Sequence, residues 1–266
     1  MLTALGVTGF AAVGWMSPGA GGTHADVRTV PTEHATSATG PIAKPTATHP
    51  TASSEASPSP SSTSSSPAPS SSAPRETGIP ATGPGTFTTA PGDSVKVGKG
   101  TALRYRVDVE TGLDLSAADV AAQVERVLAD RRGWTADGHS AFQRVSSGAT
   151  DFVVKVATPG TVDTICGQYG LDTGGEVNCS VDKNVMVNLR RWLLATPVYA
   201  KDVVAYRALI INHEVGHFLG HGHVDCPGPG RPAPAMMQQI KGMHGCAPNV
   251  WPYDDNGHYV TGPAVP

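Results

Sequence analysis

From Gly21 to Gly85 the chain is written almost entirely in Ser, Thr, Pro, Ala and Gly, as in SSEASPSPSSTSSSPAPSSSAP (Ser53 to Pro74). Such a segment has almost nothing to bury, so it cannot offset the entropy of being ordered. Its prolines keep it extended. Any core must therefore come from the rest of the 266 residues. What remains, residues 86–266, is about the size of one ordinary domain. The expected organisation is a disordered linker over 26–85 followed by a single domain over 86–266. The linker reads as a plain spacer or stalk, with O-glycosylation as the functional alternative.

Met1 to Met16 is apolar and uncharged. It is short for a membrane span but suits the apolar centre of a signal peptide, with Ala20 and Ala25 as cleavage positions. No Lys or Arg precedes it, so a basic segment upstream of Met1 is expected. Residues 1–25 thus read as a signal peptide or the remnant of an N-terminal anchor. The expected location is extracellular, either free or held to a membrane or cell wall through this segment. The net charge is −3 and the pI near 6.3, and no basic stripe is visible, which argues against nucleic acid as a partner. The four cysteines, Cys166, Cys179, Cys226 and Cys246, all lie in the C-terminal domain. In an exported chain an even number suggests two disulfides, with three pairings open.

Within the domain, Thr101 to Glu110 alternates apolar and polar residues as a half-buried strand does. Ser116 is a good N-cap for a helix that puts Val120, Val124, Val127 and Leu128 on one face, with Gly133 as its expected end. Ala141 to Ser147 and Asp151 to Ala157 read as strands. Gly175 to Val181 and Asn184 to Leu189 read as a hairpin across Asp182 and Lys183. Asp202 caps a second long helix running to Gly220, and a loop-rich tail follows. The expected fold is α/β: a mixed sheet with two long helices, then an irregular C-terminal part, with a cleft between them as the natural place for a site.

The chemistry concentrates in HEVGHFLGHGH, His213 to His223. On a helix, positions i and i+4 face the same way, so His213 and His217 can reach one ion at about 2.0–2.1 Å for zinc. Glu214 is rotated by roughly 100° from His213, beside the metal without ligating it. Gly220 can take a left-handed backbone and end the helix, and His223 then returns to supply a third nitrogen. Three neutral histidines leave the fourth position of a single Zn²⁺ for water, the pattern of a catalytic site. His221 occupies no position in this pattern; it reads as a solvent-facing passenger, with a role supporting a ligand as the alternative. Asp225 is a candidate acceptor for a ligand imidazole, or else caps its own loop.

This stretch resembles the zinc signature His-Glu-x-x-His-x-x-Gly-x-x-His of the metzincin metallopeptidases. The residues from Tyr105 to Tyr253 are similar to an uncharacterised family of secreted actinobacterial metzincin-like peptidases, on GLDTGGEVNC, RRWLL, INHEVGHFLGHGH and CPGPGRPAPAMMQQ. The zinc region also resembles snapalysin, which has Asp where this chain has His223. The resemblance implies a metzincin-like zincin fold with a methionine turn below the metal. RPAPAMMQQ (Arg231 to Gln239) supplies that turn, with Met236 first and Met237 as the alternative. Astacins and serralysins carry a Tyr two residues after the methionine. Here Gln238 (or Gln239) stands there, which leaves Tyr253 and Tyr259 as candidate hydrogen-bond donors to a transition state. With no cysteine between Met1 and Cys166, latency through a prosegment thiolate is not expected.

A Cys226–Cys246 bridge would close a loop around the methionine turn, worth roughly 3 kcal/mol on the chain-entropy model. A Cys166–Cys179 bridge would tie the Gly-rich loop to the following strand. Cysteine ligation of zinc is the rival reading, but a thiolate in the fourth position would close the site. In metzincins an edge strand pairs with extended substrate, and by chain order Gly175 to Val181 is the candidate. The expected activity is a zinc endopeptidase: His213, His217 and His223 hold the metal, and Glu214 is the general base. The partner is a peptide or protein substrate, and the chain acts as a monomer. The alternatives are a hydrolase of cell-wall peptides, or a zinc-bearing wall-binding or adhesion module with little catalysis.

Overall fold

The computed structural model of the chain describes residues 78–265. The expected signal peptide or anchor at 1–25, and the linker up to residue 77, lie outside the described residues. The alternation read at Thr101 to Glu110 becomes β3 (Ala102–Glu110), which turns Tyr105, Val107 and Val109 into the main core. Parallel partners flank it on both sides, β4 (Ala141–Arg144) and β5 (Phe152–Ala157). Short β1 (Phe87–Thr89) pairs antiparallel with the C-terminal end of β3, and β2 (Val97–Gly98) pairs with β4. On the other side β5 pairs in parallel with β7 (Asn184–Asn188), which forms an antiparallel hairpin with β6 (Cys179–Val181). The sheet is therefore mixed, in the order β2-β4-β3-β5-β7-β6, and the fold is α/β as expected.

Two long helices cover one face. In α1 (Ala117–Ala129) the Ser116 hydroxyl accepts from Asp119 N–H, and Val120, Val124, Val127 and Leu128 are buried. The helix ends at Asp130, whose backbone is already extended, and not at Gly133. Gly133 instead closes the next turn, its N–H donating to Asp130 O at 2.9 Å. In α4 (Val203–Phe218) Asp202 Oδ1 accepts from Ala205 N–H, the cap expected from sequence.

Two short helices depart from the expected order, α2 (Pro159–Gly167) and α3 (Leu189–Leu194). Pro159 at the first helical position fits α2, which packs Val162 and Cys166 against the opposite face of the sheet with Ala157, Val181 and Met186. The residues of β5 and β7 therefore alternate between two cores: Val154, Val156, Val185 and Val187 in one, Ala157 and Met186 in the other. β6 is shorter than the expected Gly175 to Val181. Gly175 has φ +68°, a left-handed backbone that cannot continue a strand.

Both disulfides expected from sequence are present, Cys166–Cys179 and Cys226–Cys246. All four cysteines are thereby used, and none is free to ligate a metal. Two disulfides fit an oxidising or extracellular environment. Among the described residues no helix is long and apolar enough to cross a membrane.

Residues 79–85, assigned to the linker by composition, are held against the domain. Ile79 packs on the main core, and Ala81 O accepts from Gly160 N–H at 2.8 Å. The buried Glu110 side chain accepts from Gly85 N–H at 2.8 Å, Thr158 N–H at 2.7 Å and the Thr161 hydroxyl at 2.6 Å. Burial alone would raise this carboxyl, but the hydrogen bonds to its ionised form outweigh that and hold it below the usual 4.5. A depressed folded-state value contributes stability above the unfolded one and loses it as pH falls through the folded one. The thermal midpoint should therefore fall as pH drops below the ordinary carboxylate value. Glu110→Gln should flatten that acid limb and cost about 1–3 kcal/mol at neutral pH. Identical limbs for variant and wild type would remove Glu110 from this role.

Candidate metal centre

The helix α4 carries His213 and His217 one turn apart, and its end is set by Gly220. Gly220 has φ +90°, its N–H donates to His217 O at 2.9 Å, and His221 N–H donates to Gly216 O at 2.9 Å. This pair of bonds is the Schellman closure that a left-handed glycine permits. It reverses the chain so that His223 comes back beside the helix. The three Nε2 atoms then lie 3.2 Å (His213–His217), 3.2 Å (His213–His223) and 3.0 Å (His217–His223) apart. Among the described residues these three form the one group of acids, cysteines and histidines compact enough to hold a metal ion.

The outward ring nitrogens fix what the inward ones can be. His213 Nδ1 is 2.8 Å from Ala235 O, and His217 Nδ1 is 2.9 Å from His221 O. A carbonyl oxygen only accepts, so both Nδ1 atoms carry hydrogen. In a neutral imidazole Nε2 is then a bare lone pair. Burial, reinforced by the neighbouring rings, pushes His213 down to about 3 and His223 to about 4, and burial also lowers His217. Burial thus disfavours the charged form of all three rings, and the Nε2 atoms of His213 and His217 present lone pairs towards His223 Nε2.

Glu214 is buried, and desolvation pushes its carboxyl up to about 8. It lines the same cleft as the three histidines, a cavity of about 480 Å³. Val177, Asn178, Cys179 and Ser180 line it as well. The edge strand singled out from sequence thus borders the cleft, over its C-terminal part.

The turn after the histidines is tied to the site at both ends. Ala235 O accepts from His213, and Met236 O accepts from Val224 N–H at 3.3 Å, next to His223. The Met236 side chain is buried against Gly216 on α4, and Met237 lines the cleft. Gln238 and Gln239 also line the cleft, and the buried Gln239 bonds to Tyr199 and to Pro234 O and Asn249 O. Tyr253 and Tyr259 are not among the residues lining the cleft; they cluster with Trp134 and His221. Asp225 pairs with His244 Nδ1 at 2.6 Å, not with a ligand imidazole. His221 is not a passenger: its carbonyl orients His217, and its ring stacks on Trp134 at 4.3 Å. Neither contact has a local sequence signal, because one is a backbone oxygen and the other a side chain far upstream.

Residues 73–256 match the family described as "Protein of unknown function (DUF3152)". No curated protein matches the chain. No solved structure matches it.

Proposed function

The chain belongs to the DUF3152 family, and we propose that it is a zinc-dependent endopeptidase of metzincin type, acting outside the cell. The observation that carries this reading is the meeting of three Nε2 atoms within 3.0–3.2 Å. Two of them, on His213 and His217, are lone pairs pointed at each other, which repel unless a cation lies between them. Zinc bound tetrahedrally at 2.0–2.1 Å needs donor atoms about 3.3 Å apart, so the spacing fits one ion. The donor set fits as well: neutral imidazoles suit zinc, and the Nδ1–H bonds to Ala235 O and His221 O are the outer partners that metal-ligating histidines use. Three histidines without a thiolate leave one position of the ion to water or substrate, as in catalytic sites.

His213, His217 and His223 would hold the metal. A bound zinc would supply Lewis acidity, making water more acidic and polarising a carbonyl. Glu214 is the residue that moves the proton. Its carboxylate oxygen accepts one from water at the cleft floor and returns it to the leaving amine nitrogen. Burial away from bulk water raises its basicity, and a cation bound beside it would favour the ionised form that accepts the proton. The cleft wall at Cys179–Ser180 belongs to β6, the last strand of the sheet. An extended peptide can add there as a further strand, with backbone hydrogen bonds aligning its scissile bond.

The test is cleavage of casein and of a random peptide library by the purified domain, with and without chelator. Internal peptide bonds should be cut, the chelator should abolish cutting, and added Zn²⁺ should restore it. No cleavage by zinc-loaded protein, or cleavage indifferent to chelator, would overturn the proposal.

A further inference from the structure

Trp134 lies on a short 3-10 turn between α1 and β4, far upstream of the histidines, and is fully buried. One indole meets the metal helix and its following loop at three points. Its Nε1–H donates to Asn212 O at 2.9 Å, and Asn212 immediately precedes His213. The edge of its six-membered ring abuts Gly216, which immediately precedes His217. A Cβ at that glycine would sit 2.7 Å from Trp134 Cζ2 and 2.3 Å from Met236 Sδ. The face of the indole stacks on the His221 ring at 4.3 Å with planes 15° apart. His221 O is the acceptor for His217 Nδ1.

We infer that Trp134 is a positioning residue for the histidine cluster, setting the second ligand, His217, through the carbonyl of His221. This rests on the metal-centre reading above for its purpose, though not for its geometry. The physical reasoning starts from the loop. Between Gly220 and the bridge at Val224 no helix or strand holds the chain, and a backbone carbonyl can fix an imidazole only if it is itself fixed. The Schellman closure fixes His221 N–H, and the stack on Trp134 fixes the rest of that residue. The hydrogen bond to Asn212 O and the contact at Gly216 hold the same indole to the helix. Helix and loop are thus referenced to one rigid side chain, and the His217 ring is caught between them. The tight fit also accounts for Gly216 in the motif, since a side chain there would meet both Trp134 and Met236.

Two variants separate the contacts. Trp134→Phe keeps an aromatic face and removes Nε1–H. His221→Ala removes the stacked ring and keeps the carbonyl. The first readout needs no metal: the His217 Nδ1–H proton signal of chelator-treated full-length protein. It should be slow to exchange in the wild type and lost or strongly broadened in both variants. The second is the Zn²⁺ dissociation constant by chelator competition, which should weaken by about 10–100-fold in both, the usual effect of losing an outer partner. His221 is partly exposed, so His221→Ala keeps the test decisive if Trp134→Phe fails to fold. Retention of the Nδ1–H signal in the folded variants, with zinc affinity within threefold of wild type, would overturn the inference. Should the wild type bind no zinc, the metalloenzyme reading fails by itself, and the metal-free signal still decides whether Trp134 orients His217.

Discussion

Glu214→Gln should leave one zinc per chain in place and lower kcat by about 10²–10⁴-fold or more, with KM little changed. The carboxyl lies in the cleft beside the histidine cluster without belonging to it. The amide has almost the same shape but cannot accept the proton of water. An effect confined to kcat identifies an interaction made only in the transition state. The stability of the protein should move the other way. Burial raises this carboxyl to about 8, so between its unfolded value and that point the folded state holds a proton the unfolded state has released. The metal-free chain therefore loses stability as pH rises from the unfolded value to about 8, and the amide removes that loss. A variant that takes up zinc, melts without metal at least as high as wild type at pH 8 and cleaves nothing would match the assigned role. Turnover near the wild-type level would remove Glu214 as the base and leave the mechanism without one.

His217→Ala should lose zinc altogether at micromolar metal. Its Nε2 is 3.2 Å from that of His213 and 3.0 Å from that of His223. Without it, two nitrogens remain where a stable site needs at least three protein ligands. The loss should exceed the 10–100-fold that removal of an outer partner costs, and activity should vanish with the metal. The fold should survive, since the rest of α4 is anchored by Tyr206, Leu209, Ile210, Ile211 and Val215 in the core. Circular dichroism and zinc content, measured on one preparation, separate the two effects. A folded variant with wild-type zinc content would show that the metal is bound elsewhere.

What was legible in the sequence is what is local in it. The His-Glu-x-x-His spacing implies a helix face, Gly220 implies its end, and the structure brings His223 back to the other two rings as that pattern requires. The caps at Ser116 and Asp202 and the hairpin across Asp182 and Lys183 are likewise set by neighbours in the chain. Both disulfides join cysteines near one another in the chain, 13 and 20 residues apart, one of them around the methionine turn. Short helices were harder. α2 and α3 have nine and six residues, too few for a periodic pattern to stand out, and α2 holds two glycines. The start of the domain was missed for another reason. Residues 79–85 look like linker in composition, and what holds them are distant groups: the core under Ile79, Gly160 N–H at Ala81 O, and the Glu110 carboxylate at Gly85. Trp134, and the carbonyls of Ala235 and His221, have no signature at all, because their roles depend on tertiary contacts across the fold.

Everything proposed for the cleft depends on the three imidazoles sharing one cation. The most direct test is elemental analysis of protein purified without added metal and then equilibrated with Zn²⁺, together with X-ray absorption at the zinc edge. The account predicts one zinc per chain, with about three nitrogen neighbours at 2.0–2.1 Å, one oxygen and no sulfur. A chain that takes up no zinc, or holds it through sulfur, would contradict it.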